Sequence, residues 1–260
     1  FRDLKENVKD WTDKKAIKDA LKQGKDYKDG TVIYTLRQTA GRGQIGNSWE
    51  SENDKNIAFS ILLKPTFLPI KEQFLISEIT CIAIVETVSK CLDQSGKPAS
   101  TCSIKWPNDI YIGDDKVCGI LIENSLQGSA IKHCVIGIGI NINQEKWIGN
   151  APNPTSIKIC SGKEFVPTEI LDDVVERISR YYEMLKTGRK EEIHSKYLSL
   201  LYRKDGFYPY KDAETGENFE ARILDVEPTG FIILEDSANN KKRFMFKEVK
   251  FVLPCGITKE

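Results

Sequence analysis

The sequence contains little histidine and no excess of charge of either sign. Its 260 residues include two histidines, His133 and His194, which argues against a histidine-rich metal site and against a histidine-based catalytic triad. Lys and Arg together number 38, as do Asp and Glu, so the formal net charge is zero. A general binder of polyanions carries a clear basic excess, so nucleic acid is not expected as a partner.

Long apolar runs and closely spaced cysteines are also missing. No apolar run approaches the roughly 18 residues of a membrane-spanning helix, and the charged start at Phe1 is not typical of a signal peptide. The seven cysteines are widely spaced and include no Cys-x-x-Cys pair, which argues against a disulfide framework and a zinc knuckle. We therefore expect no membrane partner, and reduced, mostly buried thiols in a cytoplasmic protein.

The residues that are present predict a folded α+β protein. Hydrophobic residues make up 40% of the chain and charged residues 29%, a balance that supports a sizeable core. β-Branched and aromatic runs predict strands at 31–36, 57–63, 103–106, 117–123 and 134–142. Apolar periodicity predicts helices at 71–92, 168–187 and 190–202, with Thr168 as the cap of the second. These elements predict a mixed β-sheet with helices packed on it.

From about residue 205 the pattern changes to short strands separated by turns. Strand-like pieces occupy 217–223, 231–235, 243–246 and 250–253, and Gly216 and Gly230 mark turns beside them. This spacing is typical of a small β-barrel of about fifty residues, which is too small for much core of its own. We therefore predict two domains, 1–203 and 204–260, with the second docked on the first.

The first of three chemical motifs is the glycine-rich loop Gln38–Trp49, which follows a predicted strand. Its three glycines allow left-handed backbone and bring N–H groups close to a ligand. Arg42 places a permanent cation in the loop, and its planar fork suits a carboxylate or a phosphate. Trp49 offers a flat face for stacking. The loop alone is more typical of a flexible hairpin with a core tryptophan. It is neither a Rossmann fingerprint nor a P-loop, because no helix and no Gly-Lys-Ser/Thr follows its glycines.

The second motif runs from Lys105 to Glu123 and contains Lys-Trp-Pro-Asn-Asp followed by a tight turn. Asn108 and Asp109 end a short strand and Lys116 begins the next, so a β-hairpin brings Asp109 and Lys116 to one end of the sheet. Pro-Asn-Asp is also ordinary turn chemistry, and a lysine after a turn is often a solvated edge charge. Spacing alone favours an ordinary turn followed by a solvated lysine.

The third motif is the strand Val135–Asn143, in which glycines and isoleucines alternate. Gly137 and Gly139 share one face, which leaves room for a group to lie against the backbone. Asn141 falls on the glycine face, where its amide is suited to bond the edge of a nucleobase. The alternative is a strand that packs closely under a helix.

Together the three motifs resemble the signatures of the biotin protein ligase family. They are similar to Gly-Arg-Gly-x-x-Gly-x-x-Trp, Lys-Trp-Pro-Asn-Asp…Lys-x-x-Gly-Ile-Leu and Gly-Ile-Gly-Ile-Asn-x-Asn, in the family's order, over about 31–145. The segment from 205 resembles the family's small SH3-like C-terminal domain. The resemblance implies an enzyme that joins biotin to ATP, with Mg²⁺, giving biotinyl-5′-AMP and pyrophosphate. The implied enzyme then transfers biotin to a lysine of a biotin carboxyl carrier domain.

The resemblance also implies roles for single residues. Arg42 and Lys116 would supply cations where the carboxylate and the α-phosphate meet, and Asp109 would contact the nucleotide or orient the incoming amine. The residues implied in biotin binding are Gln38, Gly41, Arg42, Gly43, Gln44, Lys116 and Gly119. Those implied in binding ATP and the adenylate are Arg42, Trp49, Asn108, Asp109, Lys116 and Asn141. No side chain is implied as a metal ligand, since Mg²⁺ would be held through the ATP phosphates.

The sequence departs from the family pattern in places. The segment Phe1–Gly30 lacks the Ser-Thr-Asn triplet that binds the biotin ring in the family, and position 44 is Gln where many members carry Arg. The missing cation predicts looser retention of the adenylate. No helix-turn-helix pattern precedes the motifs, so the dual enzyme–repressor type is not expected.

Two other functions are open. A lipoate or octanoyl ligase shares the fold but lacks the first two motifs. A non-catalytic biotin- or nucleotide-binding regulator is disfavoured by the presence of both Arg42 and Lys116, because binding alone needs neither cation so strongly. Monomer and dimer are both open.

Overall fold

The computed structural model describes residues 4–5, 17, 21, 25, 27–38, 41–42, 48–128, 130–149 and 153–252. The strands of its larger sheet, the first sheet, are β1 (Leu4–Lys5), β2 (Thr31–Thr35), β5 (Ile57–Leu63), β6 (Cys102–Lys105), β7 (Asp109–Ile112), β8 (Asp115–Gln127) and β9 (Ala130–Ile140). A short separate pair, β3 (Gly41–Arg42) and β4 (Ser48–Trp49), lies within the glycine-rich loop.

The first sheet has seven strands in the order β1-β2-β5-β9-β8-β7-β6. β1 pairs with β2 in parallel and the other neighbours are antiparallel, so the predicted mixed sheet is confirmed. Every residue of β5 is buried, as expected for a central strand covered on both faces. In β9 the predicted alternation holds, because Ile136, Ile138 and Ile140 all enter the main core.

Four helices are described: α1 (Leu75–Asp93), α2 (Ile157–Ser161), α3 (Pro167–Lys186) and α4 (Lys190–Ser199). Most of α1 is buried, which explains why its apolar positions run round the whole helix. The predicted cap Thr168 is wrong: α3 begins at Pro167, after an extended Val166 that makes no side-chain cap. The last helix ends earlier than predicted because residues 200–202 bond to the edge strand β6 at Ile104.

A second, C-terminal sheet contains β10 (Tyr208–Asp212), β11 (Asn218–Val226), β12 (Ile232–Glu235), β13 (Lys241–Phe244) and β14 (Val249–Phe251), in the order β13-β12-β11-β10-β14. Four of these strands are predicted above, and β10 is missed because Pro209 weakens its strand pattern. The indole N–H of Trp106 donates to the carbonyl of Gly230, which joins this sheet to the second motif. Residues 200–207 link α4 to this sheet, and the domain boundary at 203/204 stays a prediction.

The thiols lie where the sequence predicts them. Cys81, Cys91, Cys102 and Cys118 are buried free thiols, Cys134 is buried, Cys160 is half-buried, and Cys255 lies outside the described residues. Burial raises the pKa of Cys118 well above its usual range. Within the described ranges, no helix is both long enough and apolar enough to cross a membrane.

Candidate active site

One cross-strand row of residues lies on the face of the first sheet turned away from α1. Lys105 stands opposite Asp109, Asp109 opposite Gly119, Gly119 opposite Gly139, and Gly139 opposite Ala58. Directly opposed residues share a face of the sheet, whereas their chain neighbours pack in the core with α1. The row therefore has two charged residues at one end and a backbone floor of Gly119 and Gly139, the glycine floor, beside them.

The indole ring of Trp49 lies on the glycine floor. A Cβ atom built at Gly139 would lie 2.6 Å from Cε2 of the ring, and one at Gly119 would lie 3.1 Å from Cζ3. Trp49 Nε1 is buried and has no hydrogen-bond partner among the described residues. The sequence predicts that a group lies against the glycine face, and in this structure that group is the tryptophan of the first motif.

The glycine-rich loop approaches this floor through a two-residue hairpin pairing. Gly41 pairs with Trp49, and a Cβ at position 41 would lie 2.2 Å from the carbonyl oxygen of Trp49 and 2.7 Å from Oε1 of Gln38. Gly41 is thus required by close contact rather than by flexibility. Oε1 of Gln38 is buried without a partner in the part of the chain that is described. Of the other loop residues named above, Gly43 and Gln44 lie outside the described residues, and Arg42 is described by its backbone alone.

Lys116 and Asp109 meet at the end of the floor, as the hairpin prediction requires. The Lys116 ammonium lies 2.7 Å from the Asp109 carboxylate and 5.9 Å from the ring centroid of Trp49. Lys116 and Gly119 are three positions apart, so a regular strand would turn them to opposite faces. An irregularity in the β7–β8 register between Ile110 and Tyr111 sets Lys116 opposite Tyr111, on the face of Asp109.

The two predicted asparagines have different surroundings. Nδ2 of Asn108 donates to the carbonyl of Ile120 at 2.6 Å, which ties the turn after β6 to β8. Nδ2 of Asn141 donates to the carbonyl of Thr155 at 3.0 Å. Oδ1 of Asn141 is buried and has no partner among the described residues. The Asn141 side chain therefore offers a ligand its acceptor oxygen, whereas one of its two N–H donors is already used.

A buried amide network, which no sequence motif indicates, lies behind the site. Oε1 of Gln144 accepts from Nδ2 of Asn56 at 2.5 Å and from the backbone N–H of Glu52 at 3.0 Å. Oδ1 of Asn56 accepts from the backbone N–H of Ile142 at 2.9 Å. These bonds tie the chain just after Trp49 to the chain just after Asn141. The sequence signal is weak: Gln144 follows two asparagines just beyond the predicted strand 134–142.

Comparison with known proteins gives a consistent result. The model of the biotin/lipoate A/B protein ligase family matches residues 7–141. The bifunctional ligase/repressor BirA of Bacillus spizizenii is 32% identical over 220 residues, covering 82% of this chain and 64% of BirA. The biotin–[acetyl-CoA-carboxylase] ligase of Paracoccus denitrificans is 28% identical over 189 residues, covering 71% of this chain and 76% of that ligase.

A solved structure extends the comparison beyond the matched motifs. The biotin protein ligase from Aquifex aeolicus, in complex with biotin and ATP, superimposes with a TM-score of 0.74 and 23% identity. The match covers 98% of this chain and 100% of that one, so both sheets belong to the shared fold. The chain spans less than two thirds of the length of the Bacillus relative, of which 64% is aligned.

Proposed function

Because the chain belongs to the biotin/lipoate A/B protein ligase family, we propose that it is a biotin protein ligase. The enzyme activates biotin with ATP and transfers it to a lysine of a biotin carboxyl carrier domain. The observation that carries the proposal is the Lys116–Asp109 ion pair at the end of the glycine floor, beneath the ring of Trp49. The names of the Bacillus, Paracoccus and Aquifex relatives support biotin, rather than lipoate, as the acid.

In the first step a biotin carboxylate oxygen attacks the α-phosphorus of ATP. A new P–O bond forms, the bond to the β-phosphate oxygen breaks, and pyrophosphate leaves with the electron pair. Two unit negative charges 4 Å apart repel by about 1 kcal/mol in water and by about 4 kcal/mol near a protein surface. The Lys116 ammonium and the Arg42 guanidinium offset this repulsion, and Mg²⁺ held through the ATP phosphates would offset further negative charge.

Two partnerless acceptors support the binding roles. Oε1 of Gln38 is suited to accept an N–H of biotin, and Oδ1 of Asn141 to accept from the edge of adenine. We assign Gly41, Gly43, Gln44 and Gly119 to the walls of the biotin pocket. Asn108 and Asp109 belong to the nucleotide end.

The proposed reaction requires the indole ring of Trp49 to move. In the structure its ring covers the glycine floor, where a Cβ atom at Gly139 would overlap it. Stacking on adenine requires the ring to leave the floor, which exposes the backbone of Gly119 and Gly139 to the substrate. The ring then shields the adenylate from water, which protects a reactive anhydride.

In the second step the acceptor lysine attacks the acyl carbon of biotinyl-5′-AMP. A C–N bond forms, the bond to the phosphate oxygen breaks, AMP leaves, and the amine loses a proton. We assign Asp109 to the orientation of this amine. We place the enzyme in the cytoplasm, where ATP and reduced thiols occur together.

Biotin-dependent exchange of pyrophosphate into ATP tests the first step, and transfer to a purified carrier domain tests the second. Exchange that requires biotin, followed by labelling of the carrier, is the expected result. Exchange driven by lipoate or octanoate, and not by biotin, would identify the related acyl ligase instead. Binding of biotin without exchange would identify a regulator.

A further inference from the structure

Lys105 ends β6 and extends the cross-strand row beyond Asp109. Its ammonium lies 5.5 Å from the ring centroid of Tyr111 and 5.1 Å from that of Phe251. Tyr111 is on β7 with Asp109, whereas Phe251 belongs to β14 of the C-terminal sheet. The lysine that borders the candidate site is therefore held between the two sheets.

The residue next to Lys105 in the row is Asp109. Its side chain is 23% exposed and forms the ion pair with Lys116. In the proposed adenylation step Lys116 turns toward the biotin carboxylate and the α-phosphate, which weakens its contact with Asp109. A largely buried carboxylate that loses its cation is strongly destabilised. A second cation close to Asp109 is therefore needed to hold the carboxylate in place.

Position and burial identify Lys105 as that cation. Residues directly opposite each other on antiparallel strands have Cβ atoms about 4.5–5.5 Å apart, within reach of an opposite-charge pair. Burial lowers the pKa of Lys105, Asp109 opposes the lowering, and the charges of Lys116 and Arg203 add to it. When Lys116 turns to the substrate, one competing cation withdraws and the attraction between Lys105 and Asp109 becomes more favourable.

We propose that Lys105 is a positioning residue of the adenylation step, which holds the Asp109 carboxylate in place while Lys116 binds the reacting anions. This inference rests on the proposed ligase function. Because Phe251 packs on the Lys105 ammonium, the C-terminal sheet helps to hold the lysine that borders the site.

The test compares kcat and KM of biotin-dependent pyrophosphate exchange among variants. Lys105→Met removes the charge at similar length, Lys105→Gln is a second neutral variant, and Lys105→Arg keeps the charge. Lys242→Met is the matched control, because Lys242 also lies over a ring, 4.7 Å from Phe219, on the opposite edge of the C-terminal sheet. We expect the neutral variants to lower kcat about tenfold, with KM for biotin and ATP within about threefold.

Two further comparisons distinguish a positioning role of Lys105 from an effect on folding: recovery of the rate by arginine, and dependence of the loss on Asp109. Lys105→Arg should retain most of the rate, and Lys242→Met should match the wild type. In an Asp109→Asn background, Lys105→Met should change kcat by less than about twofold, since no carboxylate is left to hold. A wild-type kcat in both neutral variants, or an equal loss with and without Asp109, would overturn the positioning role alone. Absence of exchange in the wild type would overturn the ligase function and this inference with it.

Discussion

The indole ring of Trp49 lies so close to Gly139 that a Cβ atom at position 139 would stand 2.6 Å from Cε2 of the ring. At Gly119 the corresponding approach to the ring is 3.1 Å, which small shifts relieve more easily. The glycine floor therefore determines the position of the Trp49 ring, and Gly139 restricts that position more than Gly119 does. The position of the tryptophan without substrate is thus a consequence of the third motif.

Gly139→Ala should displace the Trp49 ring before any substrate is added, because the added methyl group overlaps it. We expect a larger change in intrinsic fluorescence and in quencher access for Gly139→Ala than for Gly119→Ala. Repeating both substitutions in a Trp49→Phe background assigns the signal to this ring. Biotin-dependent exchange should fall about tenfold or more in Gly139→Ala, since the methyl also occupies the floor proposed for the adenylate. Equal fluorescence changes at both glycines would contradict the geometry.

Lys116→Ala tests the charge at the end of the floor. We expect exchange to fall about a hundredfold or more, because the cation facing the two meeting anions is removed. The thermal midpoint should change little, since Lys105 remains beside Asp109. Lys90→Ala is the matched control: it removes an ion pair with Asp173, 2.6 Å long, on α1 rather than at the site. Near-normal exchange in Lys116→Ala would show that the assigned role is wrong.

Gln144→Ala tests the amide network behind the site. Its loss leaves the buried Asn56 amide without its acceptor, at a cost of about 1–3 kcal/mol, and also removes the acceptor of the N–H of the exposed Glu52. We expect a lower free energy of unfolding in urea and a higher KM for ATP, because the segments that carry Trp49 and Asn141 separate. Gln127→Ala, at the exposed end of β8, should stay within about 0.5 kcal/mol of the wild type. A normal KM for ATP in a destabilised Gln144→Ala variant would show that the network contributes to folding stability and not to ATP binding.

Local patterns were sufficient for the elements that depend on neighbours in sequence. The strand at 57–63 has the predicted bounds because its buried run is closed by Pro65, and the glycine face of β9 follows from simple alternation. The hairpin turn after Ile112 correctly predicts that Asp109 and Lys116 lie at the same end of the sheet.

Features set by distant contacts were not predictable from one sequence. The register irregularity that turns Lys116 to the site face depends on how β7 and β8 pair, and no residue type marks it. Gln144 and Asn56 are far apart in the chain, so nothing local indicates their bond. The Lys105 ammonium packs on the ring of Phe251, a residue of the C-terminal sheet that is distant in the chain. Such pairings are decided by packing, which sequence periodicity does not encode.

His194 on α4 should make the contact between the helices and the C-terminal sheet dependent on pH. Its Nδ1 lies 2.9 Å from Oε1 of the buried Glu78 on α1, and its Nε2 lies 3.0 Å from Oδ1 of Asp225 on β11. Both ring nitrogens donate only in the imidazolium form. The hydrogen bond to Glu78, opposed by partial burial and aided by Asp225, raises the pKa of His194 to about 9. The folded protein therefore binds this proton more tightly than the unfolded chain does, whose histidine pKa is about 6.5.

The stabilisation by His194 should be fully present below about pH 6.5 and lost as the pH rises toward about 9. We expect the difference in thermal midpoint between the wild type and His194→Gln to be largest near pH 6 and small near pH 10. His133→Gln is the matched control, because burial, with Lys132 and Lys64, lowers the pKa of His133 and places its titration outside this window. A constant difference for His194→Gln across that range would show that the imidazolium contributes nothing beyond the neutral ring.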